Sequence, residues 1–232
     1  MTEYILYGLL FIIIYLIMIH LFSFIKEGFE SLQFSNTEKW GSYELSVKNK
    51  ITKEGVEILR ELPYKSYPSN KSKQTKRELK DILELQKNIH EDIILDIKEE
   101  LYLENIIERF KIANRDSNKL INIIVHHIDP IIMNLKEKYN RVRPYKLENK
   151  IKMYIDPPKH PSYPSGHAVQ VYFIAYMLSH KYPNNKDKYL EIASKIAKNR
   201  EYAGVHFSSD TEFGKEISKI LSEKFKTRFM NK

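Results

Sequence analysis

The chain has 232 residues, 42% hydrophobic and 29% charged, enough for one medium-sized domain with a core and an accessory segment. It contains no cysteine, which excludes disulfides, thiolate catalysis and cysteine-based zinc sites. A formal charge of +8 favours anionic partners such as phosphate esters or anionic headgroups, and also follows from a composition rich in lysine throughout.

The N-terminal run Tyr4 to Phe24, YILYGLLFIIIYLIMIHLFSF, carries no formal charge. It matches the roughly 20 residues that cross a bilayer as a helix. It lacks both the basic residues before and the small residues after that a cleaved signal peptide needs. The expectation is therefore a retained anchor over residues 1–25 and a single-pass membrane protein, with the side of the membrane undetermined. A mixed juxtamembrane segment follows over residues 26–61, in which Lys53 to Leu62 is predicted as a short helix. Pro63, Pro68 and the Ser-Asn-Lys-Ser run then mark a boundary.

From Ser72 onward apolar residues recur at helical spacing. Leu79, Ile82, Leu83, Leu85 and Ile89 define one helix, capped by Ser72 or Thr75. Ile94 to Phe110 continues a second helical face, and Leu120 to Tyr139 a third, kinked near Pro130. Ala168 to His180, Tyr189 to Lys198 and Thr211 to Phe225 complete the set. Nothing alternates as a strand. The predicted fold class is all-α: a helical-bundle catalytic domain over residues 62–228 with one N-terminal transmembrane helix.

Three segments carry the chemistry. Lys136 and Arg143 are about two helical turns apart, a spacing that puts both on one face. An arginine fork and a lysine point charge suit phosphate. Taken alone the segment reads first as a solvated basic patch, with Lys138 and Arg141 beside it. Pro164-Ser165-Gly166-His167 precedes an apolar helix, whose first-turn amides form an anion site; Ser165 is also a plain N-cap candidate. In the third segment His206 and Asp210 are four apart, so on a helix they share a face, and the carboxylate fixes the imidazole tautomer. Gly204 suits a bend between the Arg200 helix and His206. No partner residues at ligand spacing complete a metal site, so neither metal nor cofactor is expected.

Together KEKYNRVRP, PSGH and NREYAGVHFSSD resemble the signature of the type-2 phosphatidic acid phosphatase and vanadium haloperoxidase superfamily. NRVRPY, SYPSGHA and AGVHFSSD are closest in kind to the bacterial non-specific acid phosphatases, and KRELKDILELQ is similar to a helix that precedes their core. Asn199 stands where the signature has serine. The resemblance implies that His206 is the nucleophile, that Asp210 orients it, and that His167 serves as acid and then base. It implies that Lys136, Arg143, Ser165, Gly166 and Arg200 hold the phosphate. His126, His127, His160 and His180 receive no role and read as structural or exposed.

The function so implied is a membrane-anchored, metal-independent phosphatase acting on phosphate monoesters through a phosphohistidine. A lipid phosphate or isoprenyl diphosphate phosphatase, a vanadium-dependent haloperoxidase and an inactive membrane scaffold protein remain alternatives. The expected partners are a phosphorylated small molecule or lipid and, through residues 4–24, a membrane. Nucleic acid is not expected.

Overall fold

Apolar residues three and four apart close into helices along nearly the whole chain, as a computed structural model covering residues 2–231 shows. The first is α1 (Thr2–Glu30), followed by α2 (Phe34–Thr37), α3 (Ser42–Asn49) and α4 (Lys53–Glu61). Then come α5 (Lys73–Lys87), α6 (Glu91–Glu99), α7 (Leu103–Glu108) and α8 (Asn114–Ile123). A π-helical turn, Ile124–Ile128, runs directly into α9 (Asp129–Tyr139). The chain continues through α10 (Pro144–Leu147), α11 (Gly166–Lys181), α12 (Lys186–Tyr202) and α13 (Ser208–Met230). Among the described residues there is no strand; Gln33 and Arg141 form an isolated bridge.

Local chemistry sets several boundaries. Ser72 caps α5 by accepting from the Thr75 amide at 3.0 Å, and Thr52 caps α4 by accepting from Gly55 at 3.1 Å. Helix α9 ends at Asn140, which adopts the left-handed conformation with φ 51°. The kink expected at Pro130 is instead the wider π turn before it. Proline removes an amide and crowds the carbonyl four residues back, and a π turn relieves both.

The core is built around α11, which packs against α12 and α13. Val169, Phe173, Ile174, Ala175, Met177 and Leu178 are fully buried there. Burial of each larger side chain contributes about 1.5–3 kcal/mol. Gly214 lets α13 press on the start of α11, because a Cβ there would lie 3.0 Å from both Ala168 Cβ and the Ser165 carbonyl. That contact brings the first turns of α11 and α13 together, and with them the two ends of the chemistry.

The segment between α1 and α5 is not separate from this core. Phe34 is buried, α3 and α4 pack on α9, and the Asn134 amide donates to the Lys48 carbonyl at 3.0 Å. Helix α1 is different. Its stretch Leu10–Phe29 is apolar, unburied, and long enough to cross a membrane. Its end is tied down by Asn70, which donates to the carbonyls of Phe29 and Leu32 at 3.1 and 2.8 Å.

Candidate active site

The three sequence segments meet at the joined first turns of α11 and α13. Lys136 comes from the last turn of α9, and Arg143 from the extended residue before α10. They do not share a helix face as the spacing suggested, since the chain reverses at Asn140 between them. His206 likewise lies before α13 and Asp210 within its first turn. They meet because the Asp210 carboxylate reaches back over the helix start. It accepts from the Phe207 amide at 3.0 Å and faces His206 Nδ1 at 3.0 Å.

Gly204 makes the link between Arg200 and His206 possible. It has φ 74°, and a Cβ there would lie 2.5 Å from the Lys152 carbonyl. A left-handed turn against foreign backbone is a glycine's place. Gln86 holds the same corner, donating to the carbonyls of Lys152 and Tyr202 at 2.8 Å each.

Asp210 is the electrostatic centre. Arg141 Nη1 donates to one carboxylate oxygen at 2.6 Å, and Ser162 Oγ to the other at 2.5 Å. Burial alone raises a carboxyl pKa, but Arg141, then His206 and Ser162, hold Asp210 well below the usual range. A carboxylate can only accept, so the proton of neutral His206 sits on Nδ1. Burial brings the His206 pKa down to about 3, against the opposing pull of Asp210. The imidazole is therefore neutral near pH 7. Its Nε2 lone pair lies 3.4 Å from Arg143 Nη1, with no proton of its own to lose.

Around that nitrogen the cations are buried and unequal in freedom. Lys136 Nζ has all three donors engaged, by the carbonyls of Pro161, Ser162 and Pro164 at 2.9, 3.0 and 2.6 Å. Burial, then the Arg143 charge, pushes its pKa well down. Arg143 donates to the Val205 carbonyl at 2.6 Å and to the His160 carbonyl through Nε and Nη2. Arg200 donates through Nη2 to the Ile97 carbonyl and to Glu100. Its Nε and Nη1 are buried with no partner among the described residues. Burial lowers both arginines to about 10, still cationic at neutral pH.

Ser165 is the N-cap of α11, and its side chain accepts from the Ala168 amide at 3.4 Å. The amides of Gly166 and His167, in the first helical turn, have no carbonyl within the helix to bond. His167 Nε2 donates to the Glu100 carbonyl at 3.0 Å, which leaves Nδ1 with the lone pair. Its pKa is pushed well down by burial and then by the charge of Arg200. Lys136, His160, Gly166, His167 and His206 all line one cavity of about 420 Å³. The rest of its wall comes from α3, the α6–α7 region, the π turn and α9.

Sequence reasoning missed four participants. Arg141 is not part of a solvated patch: it is fully buried, stacked 3.8 Å from the Phe207 ring, and bound to Asp210 and Ser209. Glu78 from α5 faces Arg141 at 3.4 Å and accepts from the Ser209 amide at 3.0 Å. Ser162 and His160 were also unassigned, and His160 Nδ1 stands 3.1 Å from Arg143 Nη2. The RxRP pattern was the available signal for Arg141, since a basic residue two before a site arginine is a weak candidate for solvent. Asn199, in the place of the signature serine, donates to both Glu100 oxygens at 3.1 and 3.0 Å. It thus orients the carboxylate that meets Arg200. Among the described residues no group of three or more His, Asp or Glu side chains is placed to hold a metal ion.

Residues 119–220 match the family model of the PAP2 superfamily, so the resemblance drawn from the three segments is borne out. A non-specific acid phosphatase of Providencia stuartii is 27% identical over 123 residues, covering 47% of this chain and 47% of that protein. The crystal structure of Aquifex aeolicus LpxE is similar with a TM-score of 0.50 and 25% identity, over 63% of this chain and 94% of that one. A bacterial vanadium-dependent iodoperoxidase shares the fold, with a TM-score of 0.56 and 17% identity over 73% of this chain and 52% of that one. The matches thus span about half the length of the acid phosphatase and of the iodoperoxidase.

Proposed function

We propose that this chain is a membrane-anchored phosphatase that hydrolyses phosphate monoesters through a phosphohistidine on His206. The observation that carries the reading is the His206 ring itself, with Nδ1 held 3.0 Å from Asp210 and Nε2 left unprotonated, 3.4 Å from Arg143 Nη1. A neutral, oriented imidazole beside fixed cations is what in-line attack on phosphorus requires. The PAP2 match and the acid phosphatase relative support the reaction class.

In this reading Nε2 forms a bond to phosphorus as the bond to the ester oxygen breaks. His167, protonated once the phosphate dianion offsets the Arg200 charge, gives its proton to the departing oxygen. Water then attacks phosphorus, His167 takes the water proton, and the P–N bond breaks to free phosphate and His206. The unpartnered Nε and Nη1 of Arg200 and the Gly166 and His167 amides hold the equatorial oxygens, and Arg143 adds its charge and turns an Nη1 hydrogen from His206 to the phosphate. Ser165 fixes the start of that helix. Lys136 contributes its field and pins the loop, since its hydrogens are spent on carbonyls. Such a cradle needs no metal ion, so activity should survive EDTA. The anchor is assigned to residues 1–25 and the catalytic domain to residues 62–228, with the intervening segment adding a cavity wall through α3.

The test is a brief reaction with labelled phosphomonoester, quenched in base. An acid-labile, base-stable phosphoprotein should form, and His206→Ala should abolish both it and turnover. Full activity in His206→Ala overturns the assignment. A panel with phosphatidate, isoprenyl diphosphates, and halide plus peroxide with vanadate separates the lipid phosphatase and haloperoxidase readings.

A further inference from the structure

One partly buried carboxyl in the cavity wall has no part in the mechanism above. Asp129 opens α9 directly after the π turn. It is not a capping residue at a free helix start, because Ile128 before it is itself helical and the π turn continues the helix backward. The wide turn swings Val125 and Asp129 into the cavity wall, next to Ile132 and Met133. One Asp129 oxygen accepts from the Gln170 side chain at 2.8 Å. Among the described residues Asp129 makes no ion pair, and burial raises its pKa to about 6.

Its place relative to the chemistry follows from α11. Gln170 is three residues after His167, so the two share a helix face about 4.5 Å apart along the axis. A phosphoryl group held at the first turn of α11, with its ester oxygen at His167, sends the rest of the substrate past Gln170 and Asp129. Outside the cradle the cavity wall carries Glu44, Glu104 and Asp129 and no lysine or arginine. A structural cross-link between α9 and α11 needs only a neutral amide at position 129. A carboxylate facing the cavity with no cation of the chain beside it offers a partner to a cation on the ligand.

We propose that the Asp129–Gln170 pair recognises a cationic group on the leaving alcohol, making short amino-alcohol phosphate monoesters the preferred substrates. The proposal rests on the phosphatase reading and deepens it. The test is kcat/KM of the full-length protein on four phosphomonoesters matched in size: 2-aminoethyl, 2-hydroxyethyl, n-propyl and carboxymethyl phosphate. A hydrogen bond to a charged group is worth about 1.5–3 kcal/mol, so the aminoethyl ester should exceed the propyl ester by roughly tenfold or more. The hydroxyethyl ester should fall between them and the carboxymethyl ester last. In Asp129→Asn the aminoethyl-to-propyl ratio should drop to about one, because the amide keeps the shape and loses the charge.

Equal rates for the aminoethyl and propyl esters in the wild type overturn the inference while leaving the phosphatase intact. So does a hydroxyethyl ester as good as the aminoethyl one, which marks a neutral acceptor, or a ratio unchanged in Asp129→Asn. Hydrolysis of none of the four overturns the phosphatase reading and this inference together. The wild-type order decides alone if the variant does not fold.

Discussion

Helices α1 and α11 are both strongly apolar, and they meet opposite fates. Every larger aliphatic side chain of α11 from Val169 to Leu178 is covered by neighbouring helices, whereas Ile12, Ile13, Ile14, Leu16 and Ile17 of α1 stand about half exposed. Composition alone does not separate them, but length and flanks do. Helix α11 has 16 residues and opens on a glycine and a histidine that line a cavity, while α1 has 29 and an unburied apolar stretch of 20. An uncovered apolar surface of that size, long enough to match a bilayer's thickness, is what the membrane anchor proposed above rests on.

The largest expected effect lies in α11. Phe173→Ala should destabilise the fold by about 3–5 kcal/mol, lowering the thermal midpoint by roughly 10 °C and activity with it. Calorimetry or circular dichroism checks this, and a midpoint within a degree or two of wild type breaks the contrast. Next in size is Ile14→Arg in α1, where a central arginine costs about 2.5–3.5 kcal/mol of bilayer insertion. The protein should move from the alkaline-washed membrane pellet to the supernatant while its phosphatase activity persists. Retention in the pellet removes the case for a bilayer partner.

Much of this contrast was legible beforehand. The 3.6-residue spacing announced α5, α11, α12 and α13, and the uncharged run announced α1. The three motif segments named residues that do converge. What the sequence did not show is how they converge. The Lys136 and Arg143 pair was read as one helix face, but Asn140 in the left-handed conformation ends the helix and the chain doubles back. Arg141 was invisible as a core residue because its partners Asp210 and Glu78 are 69 and 63 positions away. Charge pairing at such separation leaves no periodic trace. The π turn was equally hidden, since Pro130 signals a disturbance without its kind.

Acid should sharpen the contrast further. His206 is buried and His160 and His167 are partly buried, and all three have lowered pKa values, desolvation being the main cause in each. Below the unfolded imidazole value of about 6.5 the unfolded chain binds protons that the folded site refuses, so stability falls as pH drops from there toward 3. The midpoint should decline steadily over that window, and His206→Asn should flatten part of the slope. A slope identical to wild type removes His206 from the account. Bound orthovanadate should oppose the decline by supplying negative charge beside the ring. The smallest effect is Phe11→Ala on α1, at 72% exposure, which should change the unfolding free energy by less than about 0.5 kcal/mol.

The cluster around Asp210 also bears on how the chain is made. Synthesis delivers Glu78 first, then Arg141, then Ser162, and Asp210 only 69 residues after Arg141. Until then the guanidinium that will stack on Phe207 has Glu78 as its sole counter-charge, at 3.4 Å. A chain ending before Asp210 that closed this interior would bury the arginine with Glu78 as its one carboxylate in place of two. A truncated product ending before Asp210 should be a substrate for proteases rather than a dormant enzyme.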